Sequence, residues 1–203
     1  MTVEHVEVLV EEPSAEEALR LILPKVLGGV SFKVYQYQCK DDLLQRLPQR
    51  LCGYASWLPE TWRIVVLVDR DDDDCDGLKA RLEDMAASAR LSTRTSRIQG
   101  RYEVVNRIVI EELEAWYFGD WQAVQVAYPN VPGTIPQKAK YRDSDSIAGG
   151  TWEAFERVMQ RAGYFGGGLR KIEAARAIAR HMDPARNGSR SFQMLRDSLA
   201  EMV

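Results

Sequence analysis

What the chain has little of narrows the field first. It carries two histidines and three cysteines in 203 residues, and Cys39, Cys52 and Cys75 have none of the paired spacings that hold zinc. An odd thiol count without a cysteine framework fits a reducing cytoplasm rather than a secreted disulfide scaffold. Neither His5 nor His181 has a sequence neighbour with which it would make a metal or catalytic pair. No apolar run approaches the roughly 20 residues of a membrane span, and the N-terminus lacks a signal-peptide pattern. A basic excess is missing as well. Lys and Arg number 27 against 30 Asp and Glu, a formal charge of −3, which argues against a uniformly basic nucleic-acid-binding surface. A nuclease whose acids hold metal while a separate basic patch holds phosphate stays open, because Arg and Lys are enriched in the last third of the chain.

What is present concentrates in one stretch, Ile64-Val65-Val66-Leu67-Val68 followed by Asp69-Arg70-Asp71-Asp72-Asp73-Asp74-Cys75-Asp76-Gly77. Five consecutive aliphatic residues predict a strand buried on both faces, as in a parallel sheet. Six of the next eight residues, 69–76, are acids. In an α/β sheet, ligands bind beyond the carboxyl ends of the strands, where this cluster falls. Like charges at that density repel unless a cation offsets them, and a hard divalent ion such as Mg²⁺ is the natural partner for carboxylate oxygens. An acidic surface loop is the plainer alternative. An EF-hand is excluded by the glycine and glutamate spacing.

A second acidic strand end lies near the N-terminus. Val6, Val8 and Val10 alternate along a strand that runs into Glu11-Glu12, and Pro13-Ser14 then opens a helix with Ser14 and Glu17 as a capping box. Further strands are expected at 31–37, at 91–98 as a polar edge strand, and at 104–110, the last running into Glu111-Glu112 and Glu114. A short helix around Leu43–Leu47 should stop at Pro48, with a loop over 52–62. Asp120 is a candidate helix cap. Residues 129–150 predict a long connection, and helices are expected over about 151–162, 169–182 and 190–202. Alternation of strands and helices implies a mostly parallel α/β sheet, with an α/β core over 1–128 and a helical C-terminal extension over 129–203 packed on it. Gly166-Gly167-Gly168 ahead of a helix start is either a turn or a place where backbone N–H groups hold phosphate.

Val8-Leu9-Val10-Glu11-Glu12-Pro13 resembles the first Toprim motif, and Val66-Leu67-Val68-Asp69-Arg70-Asp71 resembles its Asp-x-Asp motif. With Glu114-Ala115-Trp116 and Ser189-Arg190-Ser191-Phe192, nearly the whole chain resembles the Toprim-like proteins grouped as DUF4276. Glu12 stands where that family usually has Gly, and Ala15 where an Asp is common. The resemblance implies a Toprim-like fold and a metal-dependent nuclease akin to the overcoming-lysogenization-defect type, working in phage defence beside an ABC-type ATPase. It implies Glu11, Asp69 and Asp71 as catalytic metal ligands, with Asp73 or Glu114 completing a second site, for Mg²⁺ or Mn²⁺. Lys138, Lys140, Arg170 and Lys171 would meet the phosphates of a nucleic acid, DNA ranking ahead of RNA. A catalytically inactive Toprim-like binding module is the alternative, and a receiver domain phosphorylated on Asp69 ranks third. Oligomeric state is left open.

Overall fold

A computed structural model describes residues 2–71, 73–110 and 112–203. Four parallel strands form one sheet in the order β2-β1-β3-β4, with β1 at His5–Val10, β2 at Ser31–Gln36, β3 at Trp62–Asp69 and β4 at Val104–Val109. The register pairs Val10 with Gln36 on one side and Leu67 on the other, and Asp69 with Val109. All four strands therefore end on one edge, and the acids after β1 and β3 arrive there together.

Period-two alternation divides the core. Val6, Val8, Val10, Val65, Leu67, Val105 and Val109 face α1 (Pro13–Leu27) and the helices α7 (Lys171–Ala179) and α8 (Arg190–Met202). Leu9, Ile64, Val66 and Val68 face α2 (Lys40–Trp57) and α3 (Cys75–Ser88). Each buried aliphatic side chain contributes about 1.5–3 kcal/mol on leaving water. Between β4 and α7 run α4 (Glu114–Gly119), α5 (Trp121–Ala127) and α6 (Thr151–Arg161). The C-terminal helices share one apolar cluster with the sheet, Phe155, Ala174 and Phe192 lying in the same core as Val8 and Leu67.

Several expectations from the sequence are corrected. Residues 91–98 form no strand; they make only the isolated bridges Thr93–Val104 and Ile98–Arg101. Side chains take the place of the ladder: Thr93 and Thr95 donate to the Glu83 carboxylate, and Ser92 donates to Glu103 through both its N–H and its hydroxyl. The sheet consequently has four strands, not five. Pro48 does not end its helix. It lies exposed inside α2, which runs on to Trp57 because Leu43, Leu44, Leu47, Leu51 and Tyr54 bury one continuous stripe. That stripe outweighs the roughly 3 kcal/mol cost of a mid-helix proline. The 129–150 connection carries two short 3-10 turns, at Ile135–Gln137 and Ala139–Tyr141.

The Ser14–Glu17 capping box does not form either. Glu12 is the N-cap in extended conformation, with no side-chain cap, and Pro13 opens the helix at its first turn. Ser14 instead donates its hydroxyl to the Glu12 carboxylate. Asp120 does cap α5, accepting from the Ala123 N–H, and Asp74 caps α3 in the same way through Gly77.

Candidate active site

Two acids close the buried strands. Glu11 follows β1 and Asp69 ends β3, and each is only 8% exposed although it faces the open edge of the sheet. Beyond Asp69 the chain must turn sharply. Asp71 takes a left-handed backbone, φ 46°, a conformation that Asp tolerates better than most residues but that still costs free energy, and the Asp73 N–H closes the turn on the Arg70 carbonyl at 3.0 Å. The turn brings the Asp71 carboxylate back to the edge. There Glu11, Glu12, Lys40, Asp71 and Asp73 border an open cleft of about 450 Å³.

Electrostatics couples these groups. Burial, with the negative charge of Asp71 close by, pushes the Glu11 carboxyl up to about 7. Burial holds Asp69 well above the usual carboxylate range, reinforced by Glu11, Glu12, Glu114 and Asp71. Glu114, in the first turn of α4, is 1% exposed. Burial also lifts it to about 7, against the opposing pull of Lys171. Among the described residues, the Glu11 Oε2 atom and both Glu114 carboxylate oxygens are buried with no hydrogen-bond partner, as is the Tyr117 hydroxyl one turn on. Buried carboxylate oxygens without partners are costly in a folded protein. Their concentration at the carboxyl edge of a parallel sheet is the most informative feature of the molecule.

Two lysines supply positive charge. Lys40, the first residue of α2, binds the Asp71 carboxylate at 2.6 Å, Asp73 at 2.8 Å and the Arg70 carbonyl at 3.0 Å. Lys171 opens α7 and lies 3.7 Å from Glu112 and 4.0 Å from Glu12. Glu12 is extended, φ −138°, so the backbone here does not call for the glycine common in similar chains. Its carboxylate is one of the two that Lys171 neutralises. Glu112 also accepts the Trp152 N–H at 3.0 Å, tying the start of α6 to the site.

The structure thus brings together Glu11, Asp69, Asp71, Glu114 and Lys171, with Asp73 on the rim and held by Lys40. Glu111 and Asp72 lie outside the described residues. The remaining basic residues singled out in the sequence stand elsewhere. Arg170 turns to Glu173 at 2.8 Å and stacks over Phe165, while Lys138 and Lys140 are exposed, Lys140 over the Tyr141 ring. At the glycine run, the Gly168 and Leu169 N–H groups are spent on Phe165 O and the Glu156 carboxylate. Among the described residues, no three His, Cys, Asp or Glu side chains stand in a ready metal-holding arrangement, the nearest cation to Asp71 being the Lys40 ammonium. The donor chemistry nevertheless suits a hard ion: every acid is an oxygen donor, and three of their oxygens lack partners.

Sequence reading missed Lys40 and Glu12 as parts of the site. The visible signal for Lys40 was its place at the first turn of the helix after β2, since α2 starts at the same edge of the sheet as the acids. The Trp116 and Ser189–Phe192 segments prove to be structural. The Trp116 indole donates to Ser191 at 3.1 Å and packs edge-on against Phe192, while Asp145 accepts from Ser189, Ser191 and the Arg190 N–H. Gly119 lets the 187–189 turn approach: a Cβ there would stand 2.3 Å from Asn187 Oδ1. This knot fixes α8 against α4 and so holds Glu114 in place.

Residues 10–200 match a family model described as Domain of unknown function (DUF4276). No curated protein and no solved structure matches the chain. Among the described residues, no helix is long and apolar enough to cross a membrane. The chain belongs to the DUF4276 family.

Proposed function

We propose that this DUF4276 member is a Toprim-like, divalent-metal-dependent nuclease that cleaves nucleic-acid phosphodiesters, DNA ahead of RNA. The observation that carries the reading is the set of buried, mutually repelling and partly unpartnered carboxylates at the carboxyl edge of a parallel sheet. Glu11, Asp69 and Asp71 would hold Mg²⁺ or Mn²⁺, with Glu114 and Asp73 within the same acidic rim. Such an ion, once bound, polarises a phosphoryl oxygen and makes water a stronger nucleophile.

The chain's own residues carry the rest. A carboxyl poised near 7 suits proton transfer at neutral pH, and Glu11, where it is not fully committed to the ion, is the group that would take the proton of the attacking water. Lys171 is only loosely paired, at 3.7–4.0 Å, and can leave its glutamates for a substrate phosphate at little cost. Lys40 acts as an internal counter-ion, holding Asp71 and Asp73 in position before substrate arrives. A partner ATPase of the ABC type would control access to this edge in the cell.

The second reading, an inactive binding module, draws on one observation: Lys40 already neutralises Asp71 and Asp73, so the rim carries a cation of its own. Cleavage assays on single- and double-stranded DNA and RNA in Mg²⁺ or Mn²⁺, with and without an ATPase partner, separate the two. The nuclease reading expects metal-dependent cleavage that Asp71→Ala abolishes with the fold intact. No cleavage under any of these conditions, or full biological activity retained in Asp71→Ala, gives the module reading the field.

A further inference from the structure

A second cleft lies beside the acidic one, and nothing in the proposed chemistry uses it. It is open, about 720 Å³, and runs between the free edge of β2 and the outward stripe of α2. Tyr35 and Tyr37 border it on the strand side, and Arg46, Arg50 and Trp57 on the helix side. Three features mark it as built for a ligand. The Arg50 guanidinium stands 4.4 Å from the centre of the Tyr35 ring and 5.0 Å from that of Tyr54. Buried Tyr54 backs the Trp57 ring at 5.4 Å, and Trp57 meets the half-buried Trp62 of β3 at 5.7 Å, so the last turn of α2 presents Trp57 on an aromatic support. Trp57 leaves 53% of its surface in water, although its ring also packs on Tyr54 and Trp62.

The floor of this cleft is rigid. Glu7, 3% exposed in the middle of β1, accepts from the Tyr54 hydroxyl at 2.5 Å and from His5 Nε2 at 2.9 Å, with Arg50 at 3.8 Å. His5 contacts the Ser31 hydroxyl through its other nitrogen at 2.7 Å, so its two ring nitrogens are held by Glu7, two residues along β1, and by Ser31 of β2. The buried acid thereby fixes the orientation of Tyr54 and Arg50. Glu7 is committed to structure, and the exposed Trp57, the half-buried Tyr35 and Tyr37 rings and the exposed Arg46 remain for a ligand. Arg46, paired only with Asp42 one turn away at 2.6 Å, and Lys33, over the Tyr35 ring at 4.8 Å, add cations along the strand edge.

Flat rings interleaved with guanidinium groups fit a chain of nucleobases on a phosphate backbone: rings stack on bases, cations follow phosphates. Duplex bases already cover one another, so only an unpaired strand offers such faces. The cleft also has a direction. Gln38 borders both it and the acidic cleft, so a strand lying along β2 would reach the carboxylates within a few nucleotides. We propose that the β2–α2 cleft binds single-stranded nucleic acid and delivers it to the acidic edge. The delivery rests on the nuclease reading; the binding does not.

The test is therefore a binding test in EDTA, where no metal-dependent cleavage can intrude. Fluorescence anisotropy of a short mixed-sequence oligonucleotide, single-stranded and annealed to its complement, is measured at low salt on the full chain. The account expects the single strand to bind at least about tenfold tighter than the duplex, with quenching of tryptophan emission. Trp57→Ala and Tyr37→Ala should each weaken binding about five- to tenfold, and Arg46→Glu should weaken it and flatten its salt dependence. Arg46 is exposed and paired with one neighbour, so its variant reports even if a ring substitution disturbs folding. Equal affinity for single strand and duplex, no measurable binding, or affinity unchanged in both Trp57→Ala and Arg46→Glu would overturn the proposal. So would displacement of β2-edge exchange protection by an extended peptide with no response to oligonucleotide. Binding without cleavage in Mg²⁺ would end the nuclease reading and leave this cleft standing; cleavage without single-strand preference would do the reverse.

Discussion

Glu114 and Asp120 are six residues apart, each 1% exposed, and their surroundings could hardly differ more. Asp120 accepts from the N–H groups of Ala123 and Asp183 and takes both arms of the Arg186 guanidinium, at 2.7 and 2.9 Å. Among the described residues, neither carboxylate oxygen of Glu114 has a hydrogen-bond partner. A buried carboxylate that is fully bonded stabilises the fold that bonds it. One left without partners destabilises the fold, so its presence needs another reason. Sorting the buried acids in this way separates architecture (Asp120 and Glu7) from Glu11 and Glu114 at the edge, where buried Asp69 feels the charge of both.

The sharpest way to break this contrast is to remove each member. Asp120→Ala loses the cap of α5, the acceptor for Asp183 and the fork to Arg186 together, and should cost about 3 kcal/mol, a fall of roughly 10 °C in Tm for a chain of this length. Glu114→Gln, measured at pH 8 in EDTA, should cost less than about 1 kcal/mol or raise Tm, because it removes a buried charge that no group compensates. Equal losses for the two variants would show that the edge acids are ordinary parts of the core.

The next effect is pH dependence. Glu11 and Glu114 bind protons more tightly in the folded chain, near 7 against 4.5 unfolded, and Asp69 shifts the same way. The stabilising contribution of Glu11 and Glu114 is complete below about 4.5 and lost as pH rises through 7, together on the order of 3 kcal/mol after screening. Glu83 runs the other way. Its hydrogen bonds from Lys79, Thr93, Thr95 and Asn106 outweigh the cost of its burial and hold it at about 2, so its contribution is present above 4.5 and fades as pH falls toward 2. Thermal melts in EDTA should thus decline between pH 5 and pH 8, and Glu83→Gln should soften the acid limb only. A metal-free protein equally stable at pH 5 and pH 8 would contradict the assignment of the edge group.

Lys40→Met is the smallest perturbation. It breaks two half-exposed ion pairs, worth less than about 1 kcal/mol of stability, yet it frees Asp71 and Asp73 for a divalent ion. Mn²⁺ affinity should hold or rise. A loss of affinity would mean that Lys40 organises the site instead of filling it.

The general plan of the fold was legible because its signals are local. The valine alternation of β1, the apolar run of β3 and the acids directly behind each place the edge group once the sheet is parallel. Asp120 as a cap followed from its place ahead of α5, whereas Asp74 as a cap came only with the structure. The signals that failed were tertiary. Pro48 is carried inside α2 by a leucine stripe on the opposite face, and Ser92 and Thr93 look strand-forming but find carboxylates in place of a neighbouring strand. Glu7 was readable only in retrospect, as a charge in the middle of a buried strand whose partners, Tyr54 and His5, come from α2 and from two residues upstream. Lys171 lies about 160 positions from Glu11, and no pattern along the chain links them.

The central claim is that the carboxyl-edge acids form an unsatisfied metal-holding set, and calorimetric titration with Mn²⁺ at pH 7 tests it most directly. Run in buffers of differing ionisation enthalpy, wild type should bind Mn²⁺ with release of protons, because burial raises Glu11 and Glu114 to about 7 and a metal binds the deprotonated form. Asp69→Asn should abolish both the binding and the proton release. Identical titrations for wild type and Asp69→Asn, or binding that releases no protons, would contradict the account.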